Sequence, residues 1–216
     1  MKVELLSYTQ PAQNFAENMT ELIAFCARVS NPSNQANHQT SEKLIRYLIK
    51  NQHWSPLEMV SICLEIETTR DIARQILRHR SFSFQEFSQR YAVADLGFEY
   101  KEARLQDEKN RQNSIETNNP ALGAFWETQQ KRVAETAQSA YDWAIQNGIA
   151  KEQARAVLPE GMTVSRLYMN GTLRSWVHYI QLRSENGTQK EHREIAIACA
   201  NAIEPIFPMI KEFTTK

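Results

Sequence analysis

The sequence has few cysteines and lacks the features that mark a metal-binding, secreted or membrane protein. Its three cysteines, Cys26, Cys63 and Cys199, form no Cys-x-x-Cys pair, and no other metal-ligand spacing is present. No run of about 18 apolar residues occurs, and no basic segment precedes an apolar one at the N-terminus. We therefore expect no metal, no membrane partner, a cytoplasmic location, and cysteines that remain buried free thiols.

The chain also lacks an excess of charge of either sign and a Gly-x-Gly-x-x-Gly motif. Lys plus Arg (25) equal Asp plus Glu (25), a balance that argues against a protein that binds the nucleic-acid backbone. The missing glycine motif argues against a Rossmann crevice for a dinucleotide. A length of 216 residues with 42% hydrophobic residues predicts one soluble domain that spans residues 1–216.

Lysine is absent between Asn51 and Tyr100, where every basic residue other than histidine is an arginine. These arginines are Arg70, Arg74, Arg78, Arg80 and Arg90. Arginine binds phosphate and carboxylate groups through two parallel hydrogen bonds, so arginine without lysine favours directed recognition of an anion. A nucleic-acid-binding surface is the alternative interpretation, which a steep fall of DNA affinity with salt would indicate.

Hydrophobic periodicity predicts strands at 2–8, 60–66 and 86–93. The predicted helices are 19–28, 41–51 with Ser41 as its cap, a helix opened by Thr69 and Asp71, 126–147, 151–157, 172–183, and a last one running from the capping box of Thr188 and Glu191 to Pro205. One stripe of the 126–147 helix is expected to be buried: Val133, Ala137, Ala140, Tyr141 and Ala144. The polar segment 95–120 is interpreted as a long mobile connection with room for a helical turn.

Polar side chains concentrate on the third predicted helix and the strand after it. Arg74 and Arg78 are four residues apart and repel each other by roughly a few tenths of a kcal/mol, which an anion between them would reverse. Gln75 lies on the same side of the helix. Three residues share one face of the following strand: Glu86, Ser88 and Arg90. Arginines for a phosphate, with an amide, a carboxylate and a hydroxyl for a polar ring, fit a nucleotide.

This region resembles the signature of the flavin-dependent thymidylate synthases, Arg-His-Arg followed by seven residues and a serine. The match here is Arg78-His79-Arg80 and Ser88. Further blocks follow the family's order: Cys26-Ala27-Arg28-Val29-Ser30, His53-x-Ser55-Pro56-x-Glu58, Ala73-Arg74-Gln75, Arg155-x-Val157-Leu158-Pro159, Asn170 to Trp176, and Leu182-Arg183. The chain departs from the pattern in details of flavin packing, at Ser55, Met59 and Gln85. Neither segment 95–120 nor the C-terminal tail contributes to the resemblance.

The resemblance implies a role for each matched residue. The positions at which the family binds FAD correspond to His53, Ser55, Arg78, His79, Arg80, Glu86, Thr172, Leu173, Arg174 and His178. The positions at which it binds dUMP correspond to Gln75, Arg78, Glu86, Phe87, Ser88, Gln89, Arg90, Arg155 and Arg183. Arg183 also matches the catalytic arginine that favours ionisation of the uracil ring at N3, because a permanent positive charge stabilises the developing anion.

The resemblance also implies the reaction and the fold. Methylenetetrahydrofolate would supply the carbon, FAD reduced by NADPH would supply the hydride, and dUMP would become dTMP without a cysteine nucleophile. The implied fold is α+β, the thymidylate synthase-complementing fold, with a mostly antiparallel sheet packed with helices in a homotetramer whose sites draw on several subunits. A nucleotide-binding flavoprotein that has lost methyl transfer is the alternative.

Individual residues keep alternative interpretations. Three apolar positions are better explained as core than as a flavin platform: Trp176, Val177 and Ile180. His178 is equally compatible with a hydrogen-bonded core position, and Arg155 and Arg183 with surface positions. Ser88 has no histidine or lysine beside it in sequence to activate it as a nucleophile, so we assign it to substrate binding.

Overall fold

Two antiparallel sheets are present in the computed structural model, which describes residues 1–214. In chain order the strands are β1 (Lys2–Tyr8), β2 (Ser61–Thr69), β3 (Ser83–Glu86), β4 (Arg104–Gln106), β5 (Ser114–Glu116) and β6 (Val164–Thr172). The main sheet has the order β1-β2-β6-β3, while β4 and β5 form a separate hairpin. The last two residues of the predicted domain, Thr215 and Lys216, lie outside the described residues.

Helices accompany the sheet, which confirms the predicted α+β class with an antiparallel sheet. The α-helices are α1 (Met19–Ala27), α2 (Ser41–Lys50), α3 (Arg70–Ile76), α4 (Pro120–Gln146), α5 (Lys151–Ala154), α6 (Leu173–Arg183) and α7 (Lys190–Ile203). Two of the short 3-10 turns matter for the site: Ser55–Met59 and Arg155–Val157. Across residues 1–214, no helix combines the length and the apolar character needed to span a bilayer.

The main hydrophobic core lies between the sheet and helices α1, α3, α6 and α7. On β2 the predicted alternation is confirmed, since Ile62, Leu64 and Ile66 are fully buried and the residues between them are partly exposed. Trp176 of α6 is also fully buried, and its Nε1 donates to the backbone carbonyl of Ile62 at 3.0 Å. The indole is therefore a core residue that fixes α6 against β2, as the sequence predicted.

Strand β6 was not predicted from the sequence, although it pairs with both β2 and β3 in the main sheet. Its inward positions include Leu167 and Met169, but also Ser165 and Gly171, which carry no apolar side chain of any size. Hydrophobic alternation is therefore weak along this strand. Its place in the sheet is instead fixed by backbone pairing with β2, which spans nine residues on each strand.

The predicted strand 86–93 is wrong. Strand β3 ends at Glu86, and only one further backbone bond continues the pairing, from Phe87 N–H to the carbonyl of Arg166 at 2.8 Å. The chain then turns, because the carbonyl of Ser88 accepts the N–H of Tyr91 at 3.1 Å. Polar side chains in this segment consequently do not share one strand face.

Segment 95–120 differs from the predicted connection because it contains the β4–β5 hairpin. A further isolated bridge joins Phe98 to Thr163. Arg104 ties the hairpin to α7 through the carboxylate of Glu191, with a contact of 2.6 Å from Arg104 Nη2 to Glu191 Oε1. The polar composition of this segment thus reflects pairing of charges between the hairpin and the body of the protein.

Helix α4 begins earlier than predicted and carries two apolar faces. Ala137, Tyr141 and Ala144 are buried as expected, with Ala134 beside them. Val133 and Ala140 are exposed, so this part of the predicted buried stripe is wrong for the single chain. The observed stripe is rotated relative to the predicted one.

Two predicted helix caps are also wrong. Ser41 is the first residue of α2 and not its cap, and its buried Oγ has no hydrogen-bond partner among the described residues. Gln189 occupies the cap position of α7, while the Thr188 hydroxyl donates to the backbone carbonyl of Leu182 at 3.4 Å. Glu191 does not complete a capping box, because the backbone N–H of Thr188 donates to the carbonyl of Glu185 at 3.0 Å.

Candidate functional site

Helix α6 joins the blocks that were predicted to bind FAD. Thr172 caps it, since its Oγ1 accepts the backbone N–H of Ser175 at 3.3 Å. The Ser175 hydroxyl in turn donates to the backbone carbonyl of Ser81 at 3.1 Å. This bond ties the first turn of α6 to the loop 78–82. Leu173, the next predicted residue, is fully buried and forms part of the core.

His79 lies against α6 as a neutral imidazole. Its ring meets the ring of Tyr179 edge to face with 4.9 Å between centroids, and Arg183 Nε donates to its Nε2 at 2.9 Å. Burial and the positive charges of Arg183 and Arg78 lower the pKa of His79 to about 4. Because Nε2 accepts a hydrogen bond, the single ring proton is on Nδ1, which leaves one N–H for a ligand.

Phe82 anchors the other end of the same loop. Its ring packs edge to face on Trp176 with 4.8 Å between centroids. It also lies directly over Gly171 of β6, where an added Cβ would approach Phe82 Cδ1 to 2.4 Å. Glycine at this position therefore permits the close approach of loop 78–82 to the sheet.

His178 and Arg174 connect α6 to the turn Ser55–Met59. The His178 ring lies 4.3 Å from the Trp54 ring between centroids, and Arg174 forms an ion pair with Glu58. Partial desolvation of its ring and the charge of Arg174 lower the pKa of His178. His178 is exposed, so its alternative assignment to the core is wrong.

His53 and Ser55 are exposed at the start of this turn, and the His53 ring lies 6.3 Å from that of Tyr47. The predicted FAD-binding residues other than Glu86 thus lie on three neighbouring segments: α6, the loop 78–82 and residues 53–59. The structure brings these three segments together through the contacts of α6.

Arg78 and Arg80 supply positive charge at this site. Both side chains are exposed, and neither forms an ion pair or a hydrogen bond with residues 1–214. Exposed guanidinium groups beside the N–H of His79 fit the diphosphate of the expected FAD, because arginine pairs with phosphate oxygens in bidentate geometry. The donor set is therefore compatible with a flavin nucleotide held outside a Rossmann crevice.

Glu86 is the centre of a second cluster. Its Oε2 lies 3.1 Å from Arg74 Nη1, its Oε1 lies 3.6 Å from Arg70 Nη1, and Oε1 accepts the hydroxyl of Ser165 at 3.0 Å. Arg74 also pairs with Glu160 at 3.2 Å. Arg70 and Arg74 are thus paired with carboxylates of the protein itself.

The predicted anion site between Arg74 and Arg78 is consequently wrong. Helix α3 ends at Ile76, so Arg78 lies beyond it and does not share a helix face with Arg74. The repulsion inferred from their spacing has no structural basis here. Arg78 lies with His79 among the residues predicted to bind FAD, while Arg74 pairs with Glu86.

Arg90 and Arg155 form a third group with Glu152. Arg90 Nε lies 3.6 Å from Glu152 Oε2, and Arg155 Nε donates to the Glu152 backbone carbonyl at 3.3 Å. Ser88 Oγ accepts the backbone N–H of Arg90 at 3.4 Å, and Gln89 is 4% exposed. Among the described residues, no hydrogen bond, ion pair or ring contact joins this group to α6. One chain therefore carries the predicted dUMP-binding residues in separate patches.

Gln75, the remaining predicted dUMP-binding residue, belongs to a part-buried polar network that the sequence did not indicate. Its Nε2 donates to Gln189 Oε1 at 2.7 Å, and its Oε1 lies 3.3 Å from Nδ1 of His192. His192 Nε2 in turn lies 3.1 Å from the hydroxyl of Tyr179. A signal was present, because His192 falls on the buried stripe of α7, three residues before Ile195.

The cysteines offer no activated thiol. Cys26 and Cys63 are half-buried, Cys199 is fully buried, and all three are free. Burial raises the pKa of each thiol, most strongly at Cys199. Within residues 1–214, no cluster of three or more His, Cys, Asp or Glu side chains is arranged to hold a metal ion.

Comparison with known proteins identifies similar sequences over nearly the whole chain. The family model described as thymidylate synthase complementing protein matches residues 4–209. The probable flavin-dependent thymidylate synthase of Paramecium bursaria Chlorella virus 1 is 46% identical over 210 residues, which is 97% of each chain. The flavin-dependent thymidylate synthase of Synechocystis is 50% identical over 189 residues, 88% of this chain and 86% of the relative.

A similar fold occurs in a solved structure. The UMP/dUMP methylase PolB of Streptomyces cacaoi, crystallised with 5-Br dUMP, is 26% identical and superposes with a TM-score of 0.82. The match covers 98% of this chain and 93% of that one. The same protein crystallised with 5-Br UMP gives a TM-score of 0.83.

Proposed function

This chain belongs to the thymidylate synthase complementing protein family, the flavin-dependent thymidylate synthases, and on that premise we propose that it methylates dUMP to dTMP. In this proposal 5,10-methylenetetrahydrofolate donates the carbon, FAD reduced by NADPH provides the hydride, and tetrahydrofolate is released. The name of the structural relative, a UMP/dUMP methylase, supports the choice of substrate.

The observation that carries the proposal is the contact of Arg183 with His79. It places the predicted catalytic arginine, at the end of α6, against the Arg-His-Arg block, at 2.9 Å from Nε to Nε2. Helix α6 also carries the second predicted FAD block at its start, so one helix would connect the residues that hold the flavin with the arginine that contacts the base of the substrate. A guanidinium there stabilises the negative charge that develops when uracil N3 ionises.

His79 complements this role because it is neutral. With a pKa of about 4, it adds no positive charge that would compete with Arg183 at physiological pH. Its acceptor nitrogen holds Arg183 Nε, and we propose that its Nδ1–H faces FAD. The guanidinium of Arg183 keeps its remaining N–H groups for the uracil.

FAD, when bound, supplies the hydride that completes the methyl group. We assign its phosphates to Arg78 and Arg80, whose side chains make no ion pair within the described residues. The Ser55–Met59 turn, with His53 and His178 near it, would form the other wall of the flavin site. Glu86, fixed by Arg70 and Arg74, lies at the boundary between the flavin and dUMP residues.

The state of the cysteines supports a route without a thiolate nucleophile. Attack on uracil by cysteine requires a lowered thiol pKa, and burial raises the pKa of Cys26, Cys63 and Cys199. The activation of the base then falls to Arg183, and the reduction to FAD.

We propose that the active form is a homotetramer whose sites combine patches from several subunits. The separation of the Arg90–Arg155 group from α6 supports this, because one chain does not join them. An apolar groove of about 840 Å³ between α4 and α5 supports it further, since it is lined by exposed side chains that a second subunit would cover: Trp143, Ile149 and Val157. Each chain would act as one domain, in the cytoplasm, without nucleic acid or membrane.

An absorption experiment under anaerobic conditions tests the function. The FAD-loaded protein should lose its flavin band on addition of NADPH and recover it as dTMP forms from dUMP and methylenetetrahydrofolate. A protein that takes up FAD and binds dUMP without forming dTMP would support the alternative, a nucleotide-binding flavoprotein. A protein that takes up no FAD and makes no dTMP would overturn both.

A further inference from the structure

A continuous chain of hydrogen bonds runs through the buried network around Gln75. It begins at the hydroxyl of Tyr179 and continues in order through His192, Gln75, Gln189 and Glu191, with contacts of 3.1, 3.3, 2.7 and 2.9 Å. His192 is fully buried, and both of its ring nitrogens are engaged. A buried network in which every member is bonded fixes side-chain orientations.

Glu191 sets the direction of every bond in this chain. Burial acts to raise the pKa of Glu191, but its hydrogen bonds and the charge of Arg104 outweigh burial and lower it, so the group is a carboxylate that only accepts. Gln189 must therefore turn its NH2 toward Glu191 and its carbonyl toward Gln75. Gln75 must then donate to Gln189, which leaves its carbonyl oxygen facing His192.

The direction set at Glu191 fixes the tautomer of His192. Because the carbonyl oxygen of Gln75 can only accept, Nδ1 carries the ring proton and Nε2 is left as an acceptor. Tyr179 is fully buried and its pKa is raised well above the usual value by that burial, so the phenol keeps a proton that it can donate to His192 Nε2. The Tyr179 hydroxyl therefore fits the tautomer that Gln75 selects.

A charged His192 would break this arrangement, because an imidazolium has no acceptor for the Tyr179 hydroxyl. Burial, with the charges of Arg183 and His79, lowers the pKa of His192 to about 3. The ring is therefore neutral throughout the physiological range, and the network keeps one pattern of protons.

We propose that His192 is a positioning residue that, together with Gln189 on the other side of the amide, holds Gln75 in one orientation, so that one N–H of Gln75 is directed toward an acceptor oxygen of dUMP. This inference rests on the proposed function and on the sequence-based prediction that Gln75 binds dUMP. An amide rotated by 180° would present its carbonyl oxygen to the nucleotide and lose that bond. Without His192, no other described side chain holds the Gln75 carbonyl.

The β4–β5 hairpin takes part in the same positioning. Arg104 lies on β4, and its guanidinium anchors the Glu191 carboxylate at 2.6 Å while both side chains are largely buried. The hairpin thereby holds Glu191, the residue that sets the direction of the hydrogen bonds in the network. Arg111, on the same hairpin, has no side-chain bond to α7 among the described residues and is the matched control for Arg104.

Two substitutions separate the two bonds of His192. His192→Asn keeps an amide donor near the position of Nδ1, whereas His192→Gln keeps an acceptor near the position of Nε2 and loses the donor to Gln75. We expect His192→Gln to raise the Kd of the FAD-loaded tetramer for dUMP roughly tenfold, and His192→Asn to stay within about twofold of wild type. Arg104→Ala should weaken dUMP binding in the same way, and Arg111→Ala should not.

Calorimetric titration with dUMP gives these Kd values, and urea unfolding of the same samples separates positioning from stability. Equal weakening by both His192 variants in proportion to their loss of unfolding free energy, or no weakening by either, would overturn the inference. The tautomer is read independently from two-bond ¹H–¹⁵N correlations of histidine-labelled wild type, which should place the His192 proton on Nδ1. A proton on Nε2 would overturn the inference, and wild type that shows the Nδ1 proton but binds no dUMP would overturn the proposed function alone.

Discussion

Arg183 and His79 form the pair of side chains on which the proposed chemistry depends. The arginine cannot lose its charge, and its Nε is held by the acceptor nitrogen of a neutral imidazole at 2.9 Å. This arrangement restricts the rotamers of a long side chain before substrate binds. At the scale of one residue, the site is organised so that the guanidinium reaches a ligand from a fixed direction.

Substitution of Arg183 should therefore affect the chemical step. We expect Arg183→Ala to lower kcat and kcat/KM for dUMP together by roughly 100- to 1000-fold, because the interaction is realised when the uracil carries negative charge. Arg183→Lys should recover only part of this loss, since an ammonium lacks the planar N–H that His79 holds. Steady-state kinetics of the three proteins decide the point; a rise in KM with kcat unchanged would mean that Arg183 only binds substrate.

His192 makes the stability of the fold depend on pH. Its pKa is about 3 in the folded protein and about 6.5 in the unfolded chain, so the unfolded state binds more protons between these values. The free energy of unfolding should fall as the pH is lowered through this window, with a contribution from His192 of up to about 1.4 kcal/mol per pH unit. Above about pH 6.5 this group contributes no slope.

Comparison of wild type with His192→Asn isolates that contribution, because carboxylates and His79 titrate in both proteins. Urea unfolding at a fixed protein concentration should show a steeper decline of stability between about pH 6.5 and 4.5 for wild type. Parallel profiles of the two proteins would contradict the assigned state of His192.

At the scale of elements, α6 and β6 act as one unit that positions the residues predicted to bind the flavin. Strand β6 leads directly into α6 through Thr172, and Gly171 lets Phe82 pack closely where the two elements meet. The bond from Ser175 to Ser81 then fixes loop 78–82. Small residues at this junction are thus as important for the site as the charged ones.

Gly171→Ala tests this packing. The added methyl would overlap the Phe82 ring, so we expect a loss of about 1–3 kcal/mol of unfolding free energy and weaker retention of FAD. Gly123→Ala is the matched control, because nothing lies within 4 Å of its added Cβ and alanine favours the helix. Urea midpoints and bound-flavin absorbance measure both effects; identical midpoints for the two variants would refute the role of Gly171.

The sequence predicted those elements in which the pattern of apolar and polar side chains matches the pattern of burial. β2 alternates fully, and α6 was predicted with nearly its observed bounds. β6 was missed because Ser165 and Gly171 face inward, and its place depends on pairing with β2, about a hundred residues earlier in the chain. Strand 86–93 was predicted from alternation alone, which the turn at Ser88 overrides.

The residues of the candidate site could also be predicted only in part. A motif was enough to indicate Arg78, His79, Arg80 and Arg183 through a family resemblance. The contacts that determine the protonation and orientation of the site residues could not be predicted from the sequence. They join residues far apart in the chain, such as Gln75 and His192 at a separation of 117. Local spacing also misassigned Arg74, whose partner is the Glu86 carboxylate and not a ligand.

At the scale of the whole molecule, a subunit interface would explain both the exposed apolar face of α4 and the separation of the residues predicted to bind dUMP. Val133 and Trp143 are 49% and 60% exposed on a helix whose other face is already buried in the chain. A subunit interface would bury these side chains and bring the Arg90–Arg155 group of one chain toward α6 of another. The proposed tetramer thus accounts for features that a monomer leaves unexplained.

A charge on that face should prevent assembly. We expect Ala140→Lys to shift the protein from tetramer to smaller species and to abolish dTMP formation, because a buried unpaired ammonium is costly. Asp142→Lys is the control, since residues two positions apart lie roughly 200° apart around a helix. Sedimentation velocity measures the assembly, and an intact, active tetramer of Ala140→Lys would place the interface elsewhere.

The most direct test of the central claim, that a flavin supplies the hydride for methylation of dUMP, is the mass of dTMP formed in D2O. The N–H of a reduced flavin exchanges with solvent, whereas the C–H bonds of the folate do not. We expect one deuterium in the new methyl group and tetrahydrofolate as the second product. A methyl group free of solvent deuterium, with dihydrofolate as the second product, would show that the folate supplies the hydride and would overturn the role proposed for the flavin.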